Sequence, residues 1–298
     1  MTVFVSIIDF NGKENTIQCL ESLSKVRKNN INLKVVIINN YPQDKFSLPE
    51  MKDLDIKIIE TGKNLGFSGG HNIGIKYALE NGADCVLILN NDTIVDGNLV
   101  VELVKSSSTA GIIAPKIYFA KGYEFHKDRY SKNDLGKVIW YAGGQMDWEN
   151  VLAKHRGVDE VDRGQFDTVQ DTNFASGCCM LVKREVFEKV GLFDNKYFLY
   201  FEDNDLCQRA KHSKFRILYN PKAILWHKNA GSAGGSGSKL QDYYITRNRL
   251  LFGMKFASFH SKISLFRESL RLLLAGRTWQ KRGIIDFYTG KFGKGSYE

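Results

Sequence analysis

The feature that most limits what this chain can fold into is a unit repeated near its start, a short unbroken apolar run closed by Asn or Asp and followed by helix-like spacing. Val3–Ile8, Val35–Ile38 and Val86–Leu89 are such runs. Strands buried on both faces of a parallel sheet read as continuous Val, Ile and Leu, and helices make the crossovers between them. Thr16–Val26 and Gly70–Asn81 carry that helical spacing, the second entered through a glycine-rich turn. The expected class is therefore α/β, a Rossmann-like, mainly parallel sheet flanked by helices. Ligands of such sheets gather beyond the carboxyl ends of the strands, where Asn11, Asn39-Asn40 and Asn90-Asn91-Asp92 fall.

With 298 residues, 43% of them apolar, the chain can bury one large domain or two closely packed halves. The net charge of +9 suits an anionic partner: a nucleotide diphosphate, a phospholipid surface or a nucleic acid. No RNP-like aromatic motif, zinc finger or contiguous basic stripe supports nucleic acid. The absence of GxGxxG after the first run argues against a nicotinamide-dependent oxidoreductase. Five cysteines, Cys19, Cys85, Cys178, Cys179 and Cys207, form no CxxC pair, and an odd count suits free thiols in a reducing, cytoplasmic setting. The apolar start lacks a basic leader and a cleavage signature, and no stretch reaches membrane-spanning length. From Pro115 to about Thr172 the pattern is irregular, as in an inserted sheet or variable loops. Phe174–Arg184 then reads as a strand, Glu202–Lys211 as a helix, Arg216–Tyr219 as a strand and Gly231–Ser238 as a flexible loop, before a basic helical tail.

Several clusters could carry chemistry, and each has a plain structural reading beside it. Asp92, at the end of Leu87-Ile88-Leu89-Asn90-Asn91-Asp92, can hold a hard divalent cation against a diphosphate, or can simply cap a turn. Glu202-Asp203-Asn204-Asp205 puts three acids within four positions, which suits a helix N-terminus or acid–base work with a raised pKa. If one acid is catalytic, Asp203 is the choice, with Glu202 beside it as an acceptor-binding neighbour. His227, in Leu225-Trp226-His227, is a solvated imidazole or a ligand that with Asp92 would favour Mn²⁺ over Mg²⁺. Asn64–Asn72 resembles a phosphate cradle through its glycines, and Arg247 in Tyr243–Asn248 could fork onto a phosphate or be an ordinary surface arginine.

Taken in order, Val5–Ile8 before Asn11, Asn64–Gly74, Asn90–Asp92, Ser176–Asp194, Phe198–Arg209, His227 and Tyr243–Asn248 resemble the family-2 glycosyltransferases of the GT-A fold, most closely the rhamnosyltransferase-like group that builds surface glycans. The resemblance implies a nucleotide-sugar-binding half over 1–115, an acceptor-binding and catalytic half of the same domain over 116–238, and a basic helical extension over 239–298. It implies donor contacts at Asn11, Asn39, Asn40, Asn64, Gly66, Asn72, Asn90, Asn91, Arg247 and Asn248, and acceptor contacts at Glu202 and Trp226. It places Asp92 in the family's DxD position and His227 at the metal, Mn²⁺ or Mg²⁺, and makes Asp203 the base of the ED pair. Asp9 inside the first strand, and neutral Asn39 and Asn90 where relatives often carry acids, depart from the pattern. The activity implied is inverting transfer of a sugar, L-rhamnose from dTDP-rhamnose before a UDP-hexose or UDP-galactofuranose, to a surface polysaccharide or lipid-linked glycan. A non-catalytic nucleotide-sugar-binding scaffold of the same fold is the alternative. The tail from Leu251 onward mixes Phe252, Phe256, Phe259, Leu265 and Leu272–Leu274 with Lys255, Lys262, Arg267, Arg271, Arg277, Lys281 and Arg282. Such a helix lies on anionic lipid at the inner face of the cell membrane, or packs on the core with a solvated basic face.

Overall fold

A computed structural model describes residues 1–43, 46–49, 51–229 and 237–297. The element order is β1 (Thr2–Asp9), α1 (Lys13–Ser24), β2 (Asn32–Asn39), β3 (Asp55–Glu60), α2 (Gly66–Glu80), β4 (Cys85–Asn90), β5 (Thr93–Val95), α3 (Leu99–Ser106) and β6 (Ile112–Phe119). Next come β7 (Ile139–Tyr141), β8 (Gly144–Asp147), β9 (Leu152–His155), β10 (Gln170–Asp171), β11 (Cys179–Lys183), α4 (Arg184–Val190), α5 (Glu202–His212) and β12 (Ile217–His227). The chain closes with α6 (Lys239–Phe256), α7 (Phe259–Ala275) and α8 (Thr278–Tyr288).

The main sheet runs in the order β10-β12-β6-β11-β4-β1-β2-β3, with β5 on β12 and β7 on β6. β3, β2, β1 and β4 are mutually parallel, β11 is antiparallel to both β4 and β6, and β12 is parallel to β6. The carboxyl ends of β1, β2, β4, β6 and β12 therefore share one edge. The continuous apolar runs form the centre: Val86, Leu87, Ile88 and Leu89 of β4 and Val3, Val5 and Ile7 of β1 have no exposed surface, as expected of strands covered on both faces. The irregular stretch after Pro115 holds the β8–β9 hairpin, a separate two-stranded sheet. No helix among the described residues is long and apolar enough to cross a membrane.

Several element boundaries differ from the sequence expectation, α1 opening at Lys13 rather than Thr16 among them, and three of the differences bear on the site. α2 begins at Gly66 rather than Gly70, because the Asn64 side chain accepts the Gly66 N–H at 2.9 Å and Gly66 takes a left-handed φ of 69°. A Cβ there would lie 2.5 Å from Phe198, so only glycine fits. The strand read over Phe174–Arg184 is confined to Cys179–Lys183, because 176–178 forms a turn and Arg184 opens α4. β12 runs on past Tyr219 to His227 through Pro221, with its register on β6 shifting between Asn220 and Ile224; a proline lacks the N–H of a regular ladder. Of the loop expected at Gly231–Ser238, residues 231–236 lie outside the described residues, while Ser238 caps α6 by accepting the Gln241 N–H. The tail is three helices rather than one. It has its own core, in which Leu250, Phe252, Leu265 and Ile284 pack with Val151, Tyr197 and Phe201 from the sheet domain.

Candidate active site

β4 ends where β5, paired antiparallel to β12, sets His227 opposite Thr93. In that register His227 Nε2 lies 3.1 Å from Asp92 Oδ1, and both residues are largely buried. The Lys228 N–H donates to the Asp92 carbonyl at 2.9 Å, so the two strand ends are also tied through backbone. His227 Nδ1 is buried with no hydrogen-bond partner, and the Trp140 ring stands edge-on to the imidazole at 4.7 Å.

Neighbouring amides serve the frame of this edge. Asn91 Nδ2 donates to Thr16 Oγ1 at 3.0 Å, and Thr16 in turn donates to Asp9 Oδ1 at 2.6 Å, which joins β4 to the β1–α1 turn. Burial raises the pKa of Asp9, with the Thr16 hydrogen bond opposing it. Asn11 stands exposed at the end of β1 with φ 54°, a conformation asparagine tolerates. The Asn90 N–H donates to the Cys178 carbonyl at 2.8 Å, which fixes the 176–178 turn against the end of β4.

That same turn carries the second acid. The Gly177 N–H donates to Asp203 Oδ2 at 2.9 Å, while Asp203 Oδ1 accepts from the Asn204 N–H at 2.7 Å and Asn204 Nδ2 at 2.9 Å. Burial raises the Asp203 pKa and these bonds work against it. Glu202 is pushed well above the usual carboxylate range, first by burial and then by the Asp203 charge, and its Oε2 is buried without a partner. Asp205 is committed elsewhere, to Arg209 Nε at 2.6 Å, Lys255 Nζ at 2.5 Å and the Tyr197 hydroxyl at 3.2 Å.

The chain approaches Glu202 through Phe198, Tyr200 and Phe201, all with left-handed φ, 64°, 69° and 73°. Such conformations cost about 1–3 kcal/mol each for non-glycine residues and persist only where surroundings impose them. Here the surroundings are identifiable. Asn248 Nδ2 donates to the carbonyls of Tyr197, Leu199 and Tyr200 at 2.9, 2.7 and 2.9 Å. Arg247 Nη2 donates to those of Lys196 and Tyr197 at 3.2 and 3.0 Å, and the Phe67 N–H at the start of α2 takes the Phe198 carbonyl at 2.7 Å.

Asp92, His227 and Asp203 are thus gathered about one edge and one turn, whereas four of the expected contacts are used otherwise. Arg247 and Asn248 are fully buried clamps on backbone carbonyls, with no face free for a diphosphate. Asn72 is locked to Phe193 N–H and carbonyl and to Asn195 Oδ1, cross-linking α2 to the segment before the acids. Trp226 follows strand alternation to the opposite face of β12 from His227, stacks on Tyr118 and donates to the Gly136 carbonyl at 2.9 Å. Asn39, Asn40 and Asn64 stay at the edge; Asn40 Nδ2 holds the Gly66 carbonyl at 2.9 Å. Asn39 Nδ2 donates to Glu60 Oε2 at 2.7 Å.

Sequence reasoning passed over Glu60, Trp140 and Gly177. Glu60 closes β3 directly opposite Asn39, so the acid missing from β2 has a counterpart one strand over; the signal was an apolar–polar run, Asp55–Glu60, ending on an acid before a Thr-Gly turn. Gly177 is required where a Cβ would meet the Phe67 ring at 2.8 Å, and nothing local in the sequence marks it. Trp140 reaches His227 only through the pairing of β7 with β6.

Among the described residues no three His, Cys, Asp or Glu side chains cluster as a metal site. Asp92 and His227, a hard oxygen and a borderline nitrogen within hydrogen-bonding distance of each other, fit a two-residue share of a Mn²⁺ or Mg²⁺ site whose remaining ligands come from a diphosphate and water.

The family described as glycosyltransferase like family 2 matches residues 3–253. The chain is 27% identical to the low-salt glycan biosynthesis hexosyltransferase of Haloferax volcanii over 66% of its own length and 60% of that protein's. It is 23% identical to a dTDP-rhamnosyl transferase of Shigella flexneri, covering 84% of this chain and 79% of the relative. It is 26% identical to the N-acetylglucosaminyl-diphospho-decaprenol L-rhamnosyltransferase of Mycobacterium tuberculosis, over 60% and 61% of the two chains. Among solved structures, GalNAc-T7 with UDP, GalNAc and Mn²⁺ superposes at a TM-score of 0.57 and 16% identity, over 91% of this chain and 54% of that one. That likeness shows the GT-A fold.

Proposed function

Because the chain belongs to the glycosyltransferase-like family 2, we propose that it moves a sugar from a nucleotide-sugar donor to a glycan hydroxyl with inversion at the anomeric carbon. The observation that carries the reading is the meeting, about the 176–178 turn, of a carboxylate–imidazole pair with a separate carboxylate of raised pKa. The donor lies across the strand ends, its diphosphate towards Asp92 and His227. These two residues would hold Mn²⁺ or Mg²⁺, which when bound supplies positive charge against the departing diphosphate.

Asp203 is the base. Its Oδ1 is occupied by two bonds from Asn204, whereas Oδ2 accepts the Gly177 N–H and is the oxygen offered to the acceptor hydroxyl. As the hydroxyl oxygen bonds to the anomeric carbon, its proton passes to Asp203 and the carbon–oxygen bond to the diphosphate breaks with its electron pair. Burial, by raising the carboxylate's pKa, makes it a stronger base. Glu202 beside it, its pKa pushed up by burial and by the Asp203 charge, presents a buried oxygen that an acceptor hydroxyl can satisfy.

The donor is dTDP-L-rhamnose and the acceptor a surface or lipid-linked glycan, supported by the two rhamnosyltransferases among the relatives. The hexosyltransferase relative keeps a UDP-hexose in view as the second donor. A donor-hydrolysis and transfer screen over dTDP-rhamnose, UDP-glucose, UDP-galactose and UDP-galactofuranose, each with Mn²⁺ and Mg²⁺, tests both halves. Turnover confined to the UDP-sugars overturns the rhamnosyl assignment, and no turnover with any donor overturns the activity.

A further inference from the structure

The outer face of α7 is more apolar than a solvated helix face should be. Phe259, Ile263, Phe266, Leu270 and Leu274 recur at spacings of four and three residues, so they form one stripe. Ser261, Leu265 and Ser269, on the other side of the helix, are its buried residues, Ser261 donating to the Trp148 carbonyl at 2.8 Å. The stripe faces away: Phe259 is 80% exposed, Leu274 84%, Phe266 45% and Leu270 46%. α8 extends it through Ile285 and Tyr288, both exposed, and the Tyr288 ring meets Phe266 edge-on at 6.4 Å.

The charge beside the stripe has one sign. Arg267 and Arg271 are exposed on α7, Arg282 on α8, and Lys262 flanks the stripe's other margin. Between residues 259 and 297 the carboxylates are Glu268 and Asp286. Glu268 is held by Arg249 through two bonds of 2.9 Å, and Asp286 is buried against Ser296 and the Tyr243 hydroxyl. A second copy of the chain seated on this face by two-fold symmetry would set the same arginine rim against itself. An apolar stripe of Phe and Leu bordered only by cations has the chemistry of a helix lying in a membrane interface.

We propose that α7, with the adjoining edge of α8, is a docking surface for a bilayer containing anionic lipid, the stripe entering the acyl boundary and the arginines meeting the headgroups. α6, which packs on α8 and carries Arg247 and Asn248 to the loop before Asp203, links that surface to the proposed site. The inference goes beyond the sugar-transfer reading and does not depend on it.

The test uses the full chain and vesicles of phosphatidylcholine with and without phosphatidylglycerol, read by co-sedimentation. The parent protein should be retained by the phosphatidylglycerol vesicles. Leu270→Ser with Leu274→Ser, and separately Arg267→Glu with Arg271→Glu, should each lower the partition coefficient about tenfold or more. All four positions are exposed, so thermal midpoints should stay close to the parent's and show that the variants are folded. Absence of retention, equal retention by phosphatidylcholine alone, or retention unchanged in both variants overturns the proposal. So does a parent dimer in sedimentation equilibrium that Leu270→Ser with Leu274→Ser dissolves, which would make a second copy the occupant.

Discussion

The two acidic ends of the site are built by different means. Asp92 and His227 are set by strand register alone: β4 runs into β5, β5 pairs with β12, and the side chains meet with no left-handed residue between Asp92 and His227's partner strand. Asp203 is reached through three left-handed residues that the sheet does not support. They are held from outside by Arg247 and Asn248 on α6 and by the first N–H groups of α2. The proposed cation-binding end therefore belongs to the sheet, and the proposed base opens α5 behind a loop that the C-terminal helices hold in shape. Damage to α6 should disable one end and leave the other.

The largest effect should follow removal of the proposed base itself. Asp203→Asn is expected to lower transfer about 10²–10⁴-fold while nucleotide binding, measured by calorimetry, stays near the parent value. Since both carboxylate oxygens accept N–H groups and the amide supplies one acceptor, the loss of a bond from Gly177 or Asn204 offsets the relief of burying a charge. Near-normal turnover would remove Asp203 from the role. Asn248→Ala comes next. It leaves the carbonyls of Leu199 and Tyr200 without their side-chain donor, while the Tyr197 carbonyl keeps Arg247, and orphaned buried groups cost about 1–3 kcal/mol each. A stability loss of about 3 kcal/mol and a turnover loss of tens-fold are expected, with Mn²⁺-dependent nucleotide binding kept. If metal-dependent binding fell as far as turnover, the two ends would not be separate constructions.

Much of this frame is legible in the chain because its signals are local. The runs Val3–Ile8, Val35–Ile38 and Val86–Leu89 announce buried parallel strands, and the polar residues that close them mark the ligand edge. Asp92, His227 and the Glu202-Asp203 pair stand out because acids and an imidazole end apolar segments. What misleads is side-chain direction. Arg247 and Asn248 were expected at the diphosphate, yet α6 turns them inward to backbone carbonyls, and a sequence does not say which carbonyls lack donors. Trp226 and His227 are adjacent, so strand alternation must send them to opposite faces, and assigning both to one site overlooked that period. Glu60, Trp140 and Gly177 depend on pairings between distant segments, which no local pattern encodes.

A smaller effect should separate the sheet-built end. His227→Ala removes half of the protein's proposed share of the cation site, so the Mn²⁺ concentration giving half-maximal transfer should rise on the order of tenfold or more. Asn248→Ala should leave that concentration unchanged. An unchanged Mn²⁺ requirement in His227→Ala would place the cation elsewhere.

The smallest effect is a pH dependence of stability with two opposed parts. His71, on α2 next to the turn that holds the Phe198 carbonyl, is fully buried with Nδ1 2.9 Å from Ser6 Oγ, and burial lowers its pKa to about 3. The unfolded chain then binds a proton that the native protein does not between about pH 6.5 and 3, so its contribution is present above that window and lost as pH falls through it. At pH 5 the loss from this group is about 2 kcal/mol relative to pH 8. Glu202 has the reverse sign: its folded pKa is raised, so its contribution is present at low pH and lost as pH rises above the ordinary carboxylate value. His71→Gln should flatten the acid limb of chemical-denaturation stability by one proton, and Glu202→Gln should raise stability at neutral pH while leaving that limb in place. Should His71→Gln leave the acid limb as steep as in the parent, the imidazole is charged in the native protein, and the packing that joins α2 to β1 beneath the base-bearing loop is looser than the structure describes.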